Sequence, residues 1–203
     1  MGGRETVAAV VLAAGRSERM GQAKQLLPLH GRTLLAHSLA NVLGSAADPI
    51  VLVLGYAAKQ IQCETPAELL DKVTVVINAD YAEGMSSSLR AGLTALGPQA
   101  DAALIVLADQ PFVKPETINA MIEAYRQSSA EIVVPCYQGR RGNPVLLGRA
   151  VFPEAMKLVG DVGFRVIFGS RGASLIALDV DDEGVVRDID SREDYERIQG
   201  QRR

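Results

Sequence analysis

Tryptophan is absent from this 203-residue chain, aromatic residues make up only 4% of it, and cysteine occurs twice. Each scarcity excludes something. The 21 basic residues are interleaved with 24 acidic ones for a net charge of -3. The chain therefore offers neither the stacking platforms nor the basic stripe of a nucleic-acid binder. Cys63 and Cys136 stand far apart in no CxxC spacing, and His30 and His37 form no metal cluster with them. A disulfide framework or zinc site is thus not expected, and a reduced, cytoplasmic setting is. No apolar run reaches the roughly 20 residues that span a bilayer, and the opening MGGRET carries no hydrophobic signal core. Neither a nucleic acid nor a membrane is an expected partner. With 48% hydrophobic residues, the chain suits one substantial core, and residues 1–203 are expected to form one domain.

What is present is ordered. Continuous apolar runs recur at VAAVVLA (7–13), PIVLVL (49–54), KVTVVI (72–77) and AALIVLA (102–108). They are short, β-branched and bounded by turn residues, as strands buried on both faces are. Between them lie stretches of helical period: TLLAHSLANVLGSA, TPAELLD and SSSLRAGLTALG, the last with Ser86 or Ser87 as its expected cap. This alternation predicts a layered, Rossmann-like α/β fold around a mostly parallel sheet with right-handed crossovers. Beyond Asp109 the order loosens. A helix from Pro115, strands at EIVVP and NPVLLGR, a helix at PEAMKLVG and strands at ASLIALDV and GVVRDID predict a mixed edge.

In an open α/β sheet, ligands sit beyond the carboxyl ends of the strands, so the residues after each apolar run are the informative ones. After the first run come Leu12, Ala13, Ala14, Gly15, Arg16 and Ser17, then Arg19, Gly21 and Lys24. Small residues let backbone N–H groups approach phosphate oxygens, and the cations neutralise them. The loop is neither GxxxxGK[ST] nor GxGxxG, so a P-loop NTPase and a dinucleotide oxidoreductase both lose their strongest signature. It is either a phosphate loop or a glycine turn with solvated cations. Asp109, ending the run before QPFV, is either a Mg2+ ligand, a role needing one or two carboxylates beside substrate phosphates, or a cap on the turn before Pro111. NADYAEGMSSSLRAGL places Gly84, three serines and Arg90 at a helix start rich in free N–H donors. That is either a nucleoside contact or a well-capped helix. Asp161, Asp188, Asp190 and Asp194 cluster late, as solvated or capping acids or as part of a site.

Taken in order, LAAGRSERMGQAKQLLPLHGRTLL, NADYAEGMSSSLRAGL, LADQPFV, GRRGNPVLL, GDVGFR and DIDSREDY resemble the motifs of small nucleotidyltransferases that act on the molybdenum cofactor. As a set they are most similar to the molybdenum cofactor cytidylyltransferases of the MobA-like and MocA-like NTP transferases. The resemblance spans nearly the whole chain. It implies an α/β nucleotide-binding fold, Mg2+ as cofactor, CTP and molybdopterin as substrates, and a molybdenum hydroxylase as client. By motif position it implies that the 13–24 loop, with Arg19 and Lys24, holds the triphosphate, that Asp109 binds the metal, and that Ser88 meets the nucleoside. Asp190 sits where related sugar nucleotidyltransferases supply a second metal ligand. Asn143 stands where the family pattern RGHP has His, and SRED stands for TPED. Ala14 stands where resembling guanylyltransferases have Gly, which implies a shallower base pocket suited to cytosine.

The implied reaction transfers CMP from CTP to the phosphate of molybdopterin, releasing pyrophosphate. Residues 1–112 form the expected nucleotide half and 113–198 the acceptor half. Arg141, Asn143 and Asp161 belong to the expected acceptor wall, with a surface turn as the alternative for Arg140 and Arg141. Rival readings are a guanylyltransferase, a sugar- or polyol-phosphate nucleotidyltransferase, and a non-catalytic cofactor-binding chaperone for a molybdenum hydroxylase.

Overall fold

The computed structural model describes residues 5–17, 22–161, 165–170 and 174–200. The first apolar run forms β1 (Val7–Ala13), buried along its whole length. A two-residue hairpin, β2 (Pro28–Leu29) and β3 (Arg32–Thr33), leads into α1 (Leu34–Leu43). There Thr33 Oγ1 accepts from Ala36 N–H at 3.1 Å and supplies the N-cap. Then come β4 (Ile50–Leu54), the short helices α2 (Ala58–Glu64) and α3 (Ala67–Leu70), β5 (Thr74–Ile77), α4 (Met85–Leu96) and β6 (Ala102–Leu107). Helix α2 was not expected from the sequence: it buries only Ile61 and so carries no apolar stripe to read.

The second half adds α5 (Pro115–Arg126), β7 (Ile132–Tyr137), β8 (Arg140–Arg141), β9 (Val145–Gly148), α6 (Phe152–Ala155), α7 (Arg165–Ser170), β10 (Leu175–Asp179) and α8 (Arg192–Gly200). The sheet runs β10-β7-β9-β6-β1-β4-β5, with β8 paired to β7. The pairs β1–β4, β1–β6, β4–β5 and β7–β10 are parallel. The mixing expected of the second half enters at β9, which is antiparallel to both neighbours and lies inside the sheet rather than on its rim.

Alternation along β1 explains the layers. Val7, Ala9, Val11 and Ala13 pack with Leu35, Leu39, Ile118, Met121 and Ile122 of α1 and α5. Ala8, Val10, Leu12 and Ala14 pack on the other face with Leu89, Leu93 and Leu96 of α4. Period-2 side chains thus feed two apolar layers, which is why this run shows no polar face. Two further expectations are revised. PEAMKLVG is helical only through Ala155. GVVRDID is not a strand: Glu183–Val186 forms a 3-10 turn held by Asp182, whose carboxylate accepts from Gly184 N–H at 3.0 Å, Lys114 N–H at 2.9 Å and the Thr117 hydroxyl at 2.7 Å.

The segment beyond that turn crosses the carboxyl end of the sheet. Ile189 N–H donates to the Asp109 carbonyl at 3.3 Å, and Ile189 joins Leu27, Leu29, Leu34 and Ile198 in a third apolar cluster. Gln199 donates to the Pro28 carbonyl at 3.2 Å. Residues 189–199 are thereby fastened beside the β2–β3 hairpin. Among the described residues no helix is long and apolar enough to cross a membrane.

Candidate active site

A cleft of about 430 Å3 opens at the carboxyl ends of β1 and β6, and Leu12, Ala14, Gly15, Arg16 and Ser17 form its first wall. Gln25, only 4% exposed, braces this loop from beneath: its Nε2 donates to the carbonyls of Ala13 at 3.1 Å and Gly15 at 3.0 Å. Lys24 N–H donates to Ser17 Oγ at 3.2 Å, closing the loop on itself. Arg19, within 18–21, lies outside the described residues. Gln25 was missed in the sequence, where it reads as the polar start of QLLPL; a buried amide between two loop carbonyls has no local signature. Gln25→Leu leaves both carbonyls short of a donor, and the expected outcome is a stability loss of roughly 1–3 kcal/mol with weakened nucleotide binding. Thermal denaturation and a nucleotide titration check it.

Ala14 borders the cleft with little exposed surface. Ala14 is 3% exposed, and a Cβ built on Gly55 would lie 2.9 Å from the Ala14 Cβ. The methyl is packed beside Gly55, and the aromatic surface of the cleft comes from Tyr81. Arg16 carries its guanidinium 5.4 Å from the centroid of that ring.

Opposite the loop stand the acids. Asp109, just past β6, takes a close hydrogen bond from Lys24 Nζ through Oδ2. The same ammonium donates to Asp190 Oδ1 at 3.0 Å. Burial works against the charge of Lys24, but the charge of Asp109, then the hydrogen bonds that Lys24 donates to both carboxylates and the charge of Asp190, outweigh it. The Lys24 pKa lies above its ordinary value, and the residue is a cation at neutral pH. Asp188 faces Gln110, whose Nε2 donates to it. Burial pushes the Asp188 pKa up, the Gln110 bond opposes, and the charges of Asp109 and Asp190 add to the rise.

The fit to a divalent cation can be judged from these groups. Asp109 Oδ1 is buried and has no hydrogen-bond partner among the described residues, while Oδ2 shares a monovalent cation with Asp190. Two carboxylates converging on one positive charge suit a hard cation that draws its other ligands from water and phosphate. Among the described residues no cluster of three or more acid, His or Cys groups is arranged to hold a metal alone.

The third wall is the entry to α4. Gly84 has φ 101°, and a Cβ there would meet Gly160 C at 2.5 Å and Asp161 N at 2.8 Å. Chain 160–161 therefore lies directly on the helix start. Met85 N–H donates to Asp161 Oδ1 at 2.8 Å and Ser86 N–H to the Gly160 carbonyl at 3.2 Å. Asp161, not Ser86 or Ser87, is the side chain that caps this helix. Asn78, another residue missed in the sequence, donates to Ser87 Oγ at 2.8 Å and Ser88 Oγ at 3.0 Å. Ser88 is buried but lines the cleft, and Arg90 is turned away to the Leu158 carbonyl at 2.6 Å.

A second cavity of about 860 Å3 adjoins the first, and the two share Met85 and Leu107. Arg140, Arg141, Asn143 and Phe168 line it. The arginines are exposed on β8, and Asn143 is held through its backbone N–H to the Val185 carbonyl at 2.8 Å. Asp161 borders the first cleft, apart from Arg141 and Asn143.

This arrangement has known counterparts: residues 9–175 match the MobA-like NTP transferase domain. The chain belongs to that family. Its relatives include the nicotine blue oxidoreductase of Paenarthrobacter nicotinovorans, 30% identical across 95% of this chain and 96% of that protein. The molybdenum cofactor cytidylyltransferase of Escherichia coli strain K12 is 25% identical across 92% of both. Among solved structures, Rv0371C of Mycobacterium tuberculosis H37Rv in complex with manganese superimposes with a TM-score of 0.80 at 32% identity, covering 97% of this chain and 99% of that one. The layered α/β fold expected from the strand and helix order is thus the one found, and the family is the one the motifs resemble.

Proposed function

We propose that this MobA-like protein is a nucleotidyltransferase that moves CMP from CTP to the phosphate of molybdopterin. The observation that carries the reading is the junction of two unlike cavities. One has a small-residue loop, Lys24 and paired carboxylates; the other is lined by Arg140 and Arg141; they meet at Met85 and Leu107. Two anionic substrates seated in them would face each other across that junction. The similarity to the E. coli cytidylyltransferase over nearly full length supports the choice of substrates. The free thiols of Cys63 and Cys136 suit a reducing, cytoplasmic setting, and a molybdenum hydroxylase is the client that fits such a product.

In this reading an acceptor phosphate oxygen attacks the α-phosphorus of CTP, and the bond to the β-phosphate breaks with its electron pair leaving on pyrophosphate. An acceptor phosphate is already largely dianionic, so no general base is required and alignment of two anions is the main task. Arg19 and Lys24 would neutralise the triphosphate, with backbone N–H groups of residues 13–17 directed to its oxygens. Asp109 and Asp190 would hold Mg2+, which when bound withdraws charge from the reacting phosphates. The manganese found with Rv0371C supports a divalent ion in this family. Gly84, Ser88 and the carbonyls and N–H groups of the 12–17 loop would meet the nucleoside. Arg141 and Asn143 would receive the acceptor, with Asp161 at the border between the substrates.

The test is pyrophosphate release with CTP, Mg2+ and molybdopterin, run beside GTP, a panel of sugar and polyol phosphates, and NADH or NADPH oxidation with nicotine blue as hydride acceptor in the absence of CTP and GTP. CTP is expected to exceed GTP by at least about tenfold in kcat/KM, equivalent to roughly 1.4 kcal/mol. Hydride transfer without pyrophosphate release would instead favour the activity named for the nicotine blue relative. Release with a sugar phosphate but not molybdopterin would keep the transferase and replace its acceptor. In addition, Arg141→Ala is expected to raise the acceptor KM about tenfold, a loss of about 1.4 kcal/mol of binding, with the CTP KM unchanged. Steady-state kinetics at saturating CTP measures this.

A further inference from the structure

We propose that Lys24 is a built-in occupant of the metal position, so that divalent cation and nucleoside triphosphate must enter the cleft together. The inference rests on reading Asp109 and Asp190 as the metal-holding pair and extends it to the order of binding. Lys24 Nζ is bonded to Asp109 Oδ2 and lies 3.0 Å from Asp190 Oδ1. The other oxygen of Asp109, Oδ1, is buried. The oxygen left to face the cleft is therefore the one the ammonium holds. A divalent ion binds a carboxylate oxygen at about 2.0–2.1 Å, closer than an ammonium can approach. An ion bridging Oδ2 and Asp190 Oδ1 would take the point between them that the ammonium occupies, and two cations cannot share it.

Lys24 is anchored so that only its side chain has to move. Its backbone N–H is tied to Ser17 Oγ, and the adjacent Gln25 is pinned to the Ala13 and Gly15 carbonyls. The flexible four-carbon stem can swing from the acids to the loop while the backbone stays in place. Metal alone would have to evict the ammonium, leaving it without an anion in a largely buried setting, where its side chain is 18% exposed. A triphosphate on the loop gives the displaced ammonium a new partner. Free metal then binds weakly, metal with triphosphate binds strongly, and by linkage each ligand raises the affinity of the other. The device compensates part of the charge of the two carboxylates between turnovers and makes the cleft respond to the metal–nucleotide complex rather than to the ion.

The experiment is Mn2+ binding followed by electron paramagnetic resonance on the purified full chain, with and without a non-hydrolysable CTP analogue. Lys24→Met is expected to bind Mn2+ alone at least about tenfold more tightly than wild type, while Lys24→Arg, which keeps a cation, stays weak. The gain in Mn2+ affinity brought by the analogue should be smaller in Lys24→Met than in wild type by a similar factor. Complex formation in solution contributes equally to both proteins. Equal Mn2+ affinity in wild type and Lys24→Met, abolished by Asp109→Asn, overturns the placeholder and leaves the metal pair standing. No Mn2+ binding in any variant, even with the analogue, removes the metal reading itself. A wild-type measurement covers the case of a variant that does not fold: the Lys24 ammonium nitrogen resonance should be unmoved by millimolar Mg2+ alone and shift when CTP is added with it. A shift with Mg2+ alone overturns the proposal.

Discussion

Asp109→Asn is expected to lower kcat for pyrophosphate release about a thousandfold, a loss of roughly 4 kcal/mol of transition-state stabilisation. Asparagine keeps the shape of the side chain and can still cap the turn before Pro111, so a structural role would survive the change. What it removes is the charge at the end of β6, one of the two carboxylates that converge on Lys24. Neutralising charge on the reacting phosphates is the main work of such a site, and a divalent ion bound through one carboxylate fewer does it poorly. Residual activity should require much higher Mg2+. The check is a Mg2+ titration of the rate beside circular dichroism and thermal denaturation. A variant with normal rate and normal Mg2+ response would return Asp109 to the role of a turn cap.

Gly84→Ala should produce the largest loss of stability among the single substitutions considered. The residue combines φ 101° with a Cβ position 2.5 Å from the backbone carbon of Gly160. An alanine there is strained in its own dihedrals and collides with main chain, which cannot rotate away as a side-chain tip can. The expected cost is roughly 2–4 kcal/mol, or a fall of about 5–15 °C in Tm for a chain of this size. To relieve the clash, chain 160–161 must lift off α4, breaking the bond from Met85 N–H to Asp161. Because Gly84 and Asp161 both border the cleft, weaker nucleotide binding should accompany the loss. Asp161→Asn, which keeps an accepting oxygen, should have a smaller effect on Tm. An unchanged Tm in Gly84→Ala would contradict the close approach of the two segments.

Much of this was legible in the sequence because it is local. The buried strands β1, β4 and β6 announce themselves as uninterrupted apolar runs, since both faces are covered. Helix α1 follows from the helical period of TLLAHSLANVLGSA. Lys24 and Asp109, 85 residues apart, were both expected at the carboxyl ends of strands by the logic of the open sheet, and they are found in contact. Gln25 and Asn78 were not legible. Each is a single polar residue whose work is to satisfy carbonyls or hydroxyls supplied by the fold, and no periodicity marks such a role. The tail 184–190 was misread as a strand because VV looks β-like, whereas the contacts that decide its shape belong to Asp182, Lys114 and Thr117.

Local side-chain pattern is enough to set the alternation of strands and helices, the two-sided burial of the central strands, and a loop of small and basic residues after the first strand. Those follow from side-chain size, branching and period within a window of a dozen residues. The tertiary structure alone decided that β9 runs backwards inside the sheet, that Asp161 caps α4, and that Asp190 reaches Lys24 across 166 residues of chain. The last of these depends on Ile189 finding an apolar seat beside Leu27, Leu29 and Leu34. Burial of one isoleucine against residues distant in sequence selects the path of the backbone, and the carboxylate next to it is carried into the cleft by that choice.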